Sequence, residues 1–271
     1  MKRSTILINA ALIVGAIFVA FPLLWMAAVS FMPRGMASTY PPPLWPSEPT
    51  LANYRELFTR HAAASYMANS AIVATLATSI ALVLNTMAGY AFAKLRFKGR
   101  ERLFQILLGA LVIPGQVTMI PLFAMVKSMG LVSTYGGVII PTMTSVFGIF
   151  LVRQYALSLP EELLEAARID GASEWRIFRS IVVPLLAPIL LTLGILTFLA
   201  TWNDFMWPLI VLTEQKMHTL PVALAGLSRE HVQDNELMMA GAVITVVPVL
   251  VLFLALQRYY IAGILAGSVK G

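Results

Sequence analysis

The sequence predicts an all-α integral membrane protein with six transmembrane helices. Three observations lead there. Six apolar runs, at about 6–31, 67–93, 103–126, 134–155, 181–205 and 237–258, each reach the ~20 residues that cross a bilayer as a helix. Asp, Glu, Lys and Arg make up only 12% of the 271 positions and apolar residues 59%, where ordinary globular domains carry about 25% charged residues. Mean hydropathy is +0.81. So few charges cannot coat a surface that faces water, and the outer surface is expected to face lipid. Membrane-spanning strands would need a period-2 alternation, which these runs lack.

The runs differ in what interrupts and flanks them. The first exceeds the ~7–15 residues of a cleaved signal's apolar region, so it is expected to be a retained span. The external segment after it, 32–66, opens with Pro41-Pro42-Pro43 and Pro46, which favour stiff, extended backbone. The second run carries Asn85 and Thr86. The third is broken near its middle by Pro114-Gly115, followed by Gln116. A proline there removes a backbone donor and predicts a kink. Such breaks are where substrate paths are built, or the glutamine bonds a neighbouring helix. Ser145 in the fourth run and Thr245 with Pro248 in the sixth pose the same choice as Asn85, between translocation path and interhelical bond. At ~1.5 Å per residue Asp204 lies ~35 Å along the fifth run, past the ~30 Å hydrocarbon core. Asn203 and Asp204 therefore belong at the outer mouth, between Trp202 and Trp207, which suit the interface as anchors. Asp204 is either a helix-end cap or part of a gate.

Charge sets an expected orientation. Lys2 and Arg3, the cluster Lys94, Arg96, Lys98, Arg100 and Arg102, the group Arg153, Arg168, Arg176 and Arg179, and the tail residues Arg258 and Lys270 all fall on one face. Arg34, Arg55, Arg60, Lys127, Lys216 and Arg229 fall on the other. The richer face is expected to be cytoplasmic, with both termini inside. This clustering also accounts for the net charge of +6 and the pI near 9.7 without a nucleic-acid partner. The absence of cysteine excludes disulfides, thiolate metal sites and cysteine nucleophiles.

The segment from Ser158 to Pro184 is the most informative. Ser158-Leu159-Pro160-Glu161 has the form of a capping box, with Glu161 and Glu162 at the positive end of the helix dipole. A helix of about ten residues is expected to follow and to break at Asp170-Gly171. A second short helix through Trp175, Ile177 and Phe178 then enters the fifth span at Ile181. Ala166 and Ala167 are small and would let another surface approach. By pattern alone this is a charged helix-turn-helix, with or without a partner.

The literal residues go further. Glu165-Ala166-Ala167, then Asp170-Gly171, then nine residues to Ile181-Val182-Val183-Pro184, resembles the EAA motif of ABC importer permeases, with Val183 where the family has leucine. Leu51-Ala52-Asn53-Tyr54, the run from Tyr90 to Arg100, Ile120-Pro121-Leu122-Phe123, Trp202-Asn203-Asp204 and the tail Gly267-Ser268-Val269-Lys270-Gly271 are similar to the carbohydrate-uptake branch, the maltose-type second permease and its glycerol-phosphate relatives. The resemblance implies a type I ABC importer permease fold in a bacterial inner membrane. It implies a second permease subunit, a dimeric nucleotide-binding ATPase that binds ATP and Mg2+, and an external solute-binding protein. In that family the EAA helix docks on the ATPase, so Glu165, Ala166, Ala167, Asp170, Gly171 and Pro184 are the expected coupling residues. The expected substrate is a sugar or oligosaccharide, with glycerol 3-phosphate or a related polyol derivative as the alternative. The expected parts are 1–66, the first transmembrane helix and external segment; 67–258, a five-helix permease core with cytoplasmic coupling helices at about 160–180; and 259–271, a cytoplasmic tail.

Absent motifs fit a transport subunit rather than an enzyme. The sequence holds no Gly-x4-Gly-Lys-Ser/Thr phosphate loop, no His-Glu-x-x-His and no Gly-x-Ser-x-Gly. No catalytic residue and no cofactor is expected in this chain. An ion-coupled secondary transporter would carry charged groups at mid-span, and none is there. His231 with Asp234 and Glu236 is a conceivable metal set, but a solvated loop accounts for it better, so no metal site is assigned. The external segments 32–66 and 206–236, with Glu214, Glu230, Asp234 and Glu236, are the expected surface for the binding protein.

Overall fold

The structure, a computed structural model, describes residues 3–230 and 234–268. Lys2, His231 and Val269–Gly271, on which parts of the sequence reading fall, lie outside the described residues.

Helices α1 (Arg3–Ser30), α2 (Ala52–Thr59), α3 (Ala63–Lys94), α4 (Arg100–Gly109), α5 (Gly115–Ser128), α6 (Tyr135–Ile139) and α7 (Val146–Leu157) fill the first part of the chain. They are followed by α8 (Glu161–Ile169), α9 (Glu174–Ile177), α10 (Val183–Leu185), α11 (Ala187–Trp202), α12 (Met206–Val211), α13 (Leu220–Glu230) and α14 (Asn235–Ser268). Leu7–Ser30, Ala63–Lys94 and Asn235–Gln257 are each long and apolar enough to cross a membrane unbroken. The remaining three runs pass the same test as bent pairs, which gives up to six crossings among the described residues when each bent pair counts as one span. Their apolar side chains face outward: Phe18 is 80% exposed, and Val112 and Ile120 are each 82% exposed. In a water-soluble protein a surface so continuously apolar would associate, whereas lipid covers it at no cost.

Each bend has a local cause. The third run turns by 105° between Val112 and Gly115, far more than the predicted kink. Ile113 and Pro114 are both extended, because a proline drives the residue before it out of the helical region. The fourth run bends by 42°. There Ser145 is extended and caps α7, its hydroxyl accepting the Gly148 N–H at 2.9 Å. The fifth run bends by 77° at Leu186, which the sequence reading treats as one straight run. Pro184 and Pro188 stand four residues apart, so the helix between them lacks the bond that Pro188 cannot donate. A π-helical turn, Phe178–Val182, precedes it.

The chain forms two compact units, Met1–Met67 with Leu220–Leu250, and Ala68–Thr219 with Val251–Gly271. In the first, buried Asn53 donates its amide to the Ser30 and Met32 carbonyls, both at 2.9 Å, and so satisfies the C-terminal end of α1. The Tyr54 hydroxyl lies 2.7 Å from Ser30 Oγ. The Leu51–Tyr54 motif is thus the clasp between α1 and α2. Further along, Arg34 pairs with Asp234, and the Ala37 N–H donates to Glu236 Oε1 at 2.7 Å. These bonds tie the external segment to the start of α14, where Asp234 accepts the Leu237 N–H.

In the second unit α3 packs on α7. Gly89 is required there, since a Cβ would come within 2.6 Å of Val152. A core of Tyr90, Ala93, Val152, Ala156, Leu164, Ile177, Phe178, Val182 and Leu186 joins α3, α7, α8 and the fifth run. This core carries the candidate site.

Candidate functional site

Helix α8 covers nine residues and is amphipathic. Leu164 is fully buried in the core, while Glu162, Glu165, Ala166 and Ile169 are exposed. Truncating a buried leucine costs about 2–5 kcal/mol, so this one side chain is a firm anchor. The two alanines of the motif have opposite roles. Ala166 lies on the free face, whereas Ala167 packs against the chain's own core. Only Ala166 matches the expected open docking surface, because neighbouring helical positions point about 100° apart.

The end of α8 is as predicted. Gly171 has φ +79°, its N–H donates to the Arg168 carbonyl, and the Ala172 N–H donates to the Ala167 carbonyl, both at 3.0 Å. This paired arrangement is a Schellman motif, and it presents exposed Asp170 and Gly171 at a sharp turn. Ser173 then caps α9 by accepting the Arg176 N–H. The start of α8 differs from the capping-box expectation. Ser158 ends α7 instead, its hydroxyl donating to the Tyr155 carbonyl at 2.7 Å, and Pro160 occupies the N-cap of α8. The terminal carbonyls of α7 need donors, and the serine is spent on one of them.

Five polar residues outside the motif's alanines fix the hairpin. Lys94 donates to the Leu159 carbonyl at 2.7 Å and to Glu161 Oε2 at 3.1 Å. Arg168 donates to Glu174 Oε1 at 2.7 Å, and the Tyr90 hydroxyl donates to Glu174 Oε2 at 3.0 Å. Glu161 also lies 4.0 Å from Arg168. The Arg168 guanidinium, bonded to Glu174, holds that carboxyl below the usual carboxylate range, and the Tyr90 bond adds to this against the effect of burial. Glu174 in turn raises Arg168. Sequence reasoning missed Tyr90, Lys94 and Glu174 as site residues. The signal was there: Tyr90 and Lys94 are four apart, on one face of the last turns of α3.

The proposed path residues are only partly brought together. Asn85 is fully buried in α3 and its Oδ1 accepts from the Thr144 hydroxyl at 3.1 Å and the Ser145 N–H at 3.0 Å. Asn85 and Ser145 thus meet at the break in the fourth run, as an interhelical bond. Gln116 is exposed in the first turn of α5. The Thr245 hydroxyl bonds the Gly241 carbonyl of its own helix at 3.0 Å. Exposed Asn203 donates to the Leu199 carbonyl at 2.8 Å. Asp204 accepts the Trp207 N–H at 3.5 Å at the start of α12, and Trp202 and Trp207 are both buried. The Trp207 indole donates to the Gly137 carbonyl at 3.2 Å. Asp204 thus sits just before α12, whose N-cap is Phe205. Pro184 is exposed at the start of the fifth run's first segment, α10.

Known proteins are similar to this chain over nearly its whole length. The arabinooligosaccharides transport system permease protein AraQ of Halalkalibacterium halodurans is 40% identical over 283 residues, covering 100% of both chains. The trehalose/maltose transport system permease protein MalG of Thermococcus litoralis is 34% identical and covers 99% of each. The trehalose transport system permease protein SugB of Mycobacterium tuberculosis is 34% identical over 96% of this chain and 95% of its own. A chain of a bacterial ABC transporter involved in the import of the acidic polysaccharide alginate superposes with a TM-score of 0.84 at 22% identity, over 96% of this chain and 99% of that one, which shows a shared fold. The family model described as binding-protein-dependent transport system inner membrane component matches residues 1–265. With fold, motif and relatives in agreement, the chain belongs to that family of inner-membrane transport components.

Proposed function

We propose that this chain is the permease subunit of an ATP-driven importer for a sugar or oligosaccharide, and that α8 receives the work of a separate ATPase. One observation carries the reading. The EAA helix is clamped to α3 and α9 by Lys94, Glu161, Arg168 and Glu174, yet leaves Glu165, Ala166 and an Ile169 that is 86% exposed without cover. A fixed helix with a small-residue, partly apolar free face suits a groove on another subunit.

Energy then enters mechanically. A displacement of α8 is passed to the start of the fifth run through Arg168 and Glu174, and to α3 through Lys94 and Glu161. Rigid-body movement of packed helices is an established way to switch a pathway between two states. ATP and Mg2+ bind in the partner ATPase, since this chain lacks a phosphate loop. A second permease completes the pathway, and an external binding protein delivers the solute to the segments around 32–66 and 206–236. Both termini, the 160–180 hairpin and the 259–271 tail face the cytoplasm in this reading. The sugar assignment is supported by the substrates named for the relatives, namely arabinooligosaccharides, trehalose and maltose.

Coexpression with a second permease and an ATPase tests the reading. The expected result is a stable complex whose ATP hydrolysis rises when the sugar-loaded binding protein is added. Recovery of this chain alone as a transport-competent protein would contradict it.

A further inference from the structure

Helices α3 and α4 both belong to membrane-crossing runs, so the turn that joins them, 95–99, lies at the polar end of each. Around it the sequence places Lys94, Arg96, Lys98, Arg100 and Arg102. Lys94 is turned inward to Leu159 and Glu161. Arg96, Arg100 and Arg102 instead line an open cavity of about 600 Å3 with Phe97, Gly99 and Glu101.

The turn is fixed by its own contacts. Gly99 adopts φ +82°, and the Arg100 guanidinium donates to the Leu95 carbonyl at 3.0 Å. The Phe97 and Phe104 rings pack on Phe92 at 5.9 and 5.5 Å. Gly99 stands at the N-cap of α4 and offers no side-chain cap, and the Arg100 N–H donates to the Phe97 carbonyl at 3.4 Å, so only part of the positive end of that ten-residue helix is open toward the cavity residues. Glu101 is the one acidic residue in the lining. Its carboxylate is taken by Arg153 at 3.2 Å, whose guanidinium also stacks 3.9 Å over the Phe104 ring. The cavity therefore keeps a net positive field. Beyond it along α4, Leu103 and Ile106 are exposed.

A charge excess on one face of a membrane protein orients the chain, but it does not by itself require a formed cavity, an uncapped helix end and an adjoining apolar strip. Together these fit a ligand that is anionic at one end and hydrocarbon at the other. We propose that the turn between α3 and α4 binds an anionic phospholipid, its headgroup phosphate among the Arg96, Arg100 and Arg102 side chains at the start of α4, its acyl chains along Leu103 and Ile106. Guanidinium–phosphate hydrogen bonds are a usual means of holding such a group. Each basic side chain near an anionic lipid contributes about 1 kcal/mol, so the site's preference is a sum of several such terms.

The test is native mass spectrometry of the full chain, titrated in separate experiments with phosphatidylglycerol and with phosphatidylcholine. Wild type is expected to retain phosphatidylglycerol about tenfold or more tightly, given that each charge contributes about fivefold. The combined Arg96→Gln, Arg102→Gln variant should lose that preference, while Arg96→Lys with Arg102→Lys should keep most of it and show that the protein still folds. Equal retention of both lipids by wild type would overturn the proposal, as would an undiminished preference in the glutamine variant. Loss of the preference in the lysine variant would also overturn it. Complete displacement of phosphatidylglycerol by millimolar inorganic phosphate would assign the cavity to a free anion and overturn the lipid reading.

Discussion

Lys94 Nζ stands 3.1 Å from Glu161 Oε2, joining the last residue of α3 to the first residue of α8. The lysine side chain is 6% exposed and also donates to the Leu159 carbonyl. One ammonium group thus links a membrane helix to the proposed coupling helix across 67 residues of sequence, beside the core that they share.

Glu161→Gln removes the counter-charge from that nearly buried ammonium. The loss is expected to be about 1–3 kcal/mol, the range for an unsatisfied buried polar group. The α8 hairpin should loosen while the protein still inserts. Uptake should fall relative to ATP hydrolysis, and Lys94→Met should do the same. Comparing imported solute per ATP hydrolysed in proteoliposomes checks this. An unchanged ratio in both variants would remove the clamp from the coupling route.

Ala166 and Ala167 separate docking from folding. Ala166→Trp should leave the chain as stable as wild type and weaken ATPase association. Ala167→Trp should push α8 off its own core and destabilise the hairpin, with overpacking costing about 1–3 kcal/mol. Thermal unfolding of the purified chain, read beside recovery of the ATPase in pull-downs, distinguishes them. Equal behaviour of the two variants would contradict the assignment of the two faces.

Gly171→Pro removes a donor of the Schellman pair and imposes a φ near −65° where the chain has +79°. Uptake should be abolished with insertion retained. Gly171→Ala should cost about 1–2 kcal/mol, the usual penalty for a left-handed L-residue, and reduce uptake partially. Charge reversal at Asp204, just before the short α12, should hurt less than Gly171→Pro when uptake is measured at matched membrane abundance.

Glu174 gives the hairpin an acid limit. Its folded carboxyl is held below the ordinary value of 4.5 by Arg168, so the pair contributes stability above that value and loses it as pH falls through the lower, folded pKa. At neutral pH the bond is complete. Trp175, adjacent and packed on Phe178, reports the change by fluorescence. Wild type should show a transition below pH 4.5 that Glu174→Gln lacks. Identical titrations of the two would exclude the pair as its cause.

What was legible in the sequence followed from local physics. Runs of about 20 apolar residues announce spans directly. Pro114 and Gly171 announce a break and a turn through their own backbone limits. The 77° bend at Leu186 was legible too, since Pro184 and Pro188 stand one helical turn apart, but within so apolar a run hydropathy outweighed them. Ser158 misled because a serine between two helices can serve the end of one or the start of the other, and only the geometry decides. The i, i+4 spacing of Tyr90 and Lys94 marks their shared face, but not their partners Glu174 and Glu161, which lie 84 and 67 positions away. Sequence alone leaves Asn85 open between an interhelical bond and a path residue, and its partners Thr144 and Ser145 favour the bond.

The most direct test of the central claim is ATP hydrolysis by the reconstituted complex, measured with and without sugar-loaded binding protein, for wild type and Ala166→Trp. The account predicts strong stimulation in wild type and its loss in the variant, with the variant's membrane helices intact. Full stimulation in Ala166→Trp would contradict the claim that the exposed face of α8 is where the ATPase acts.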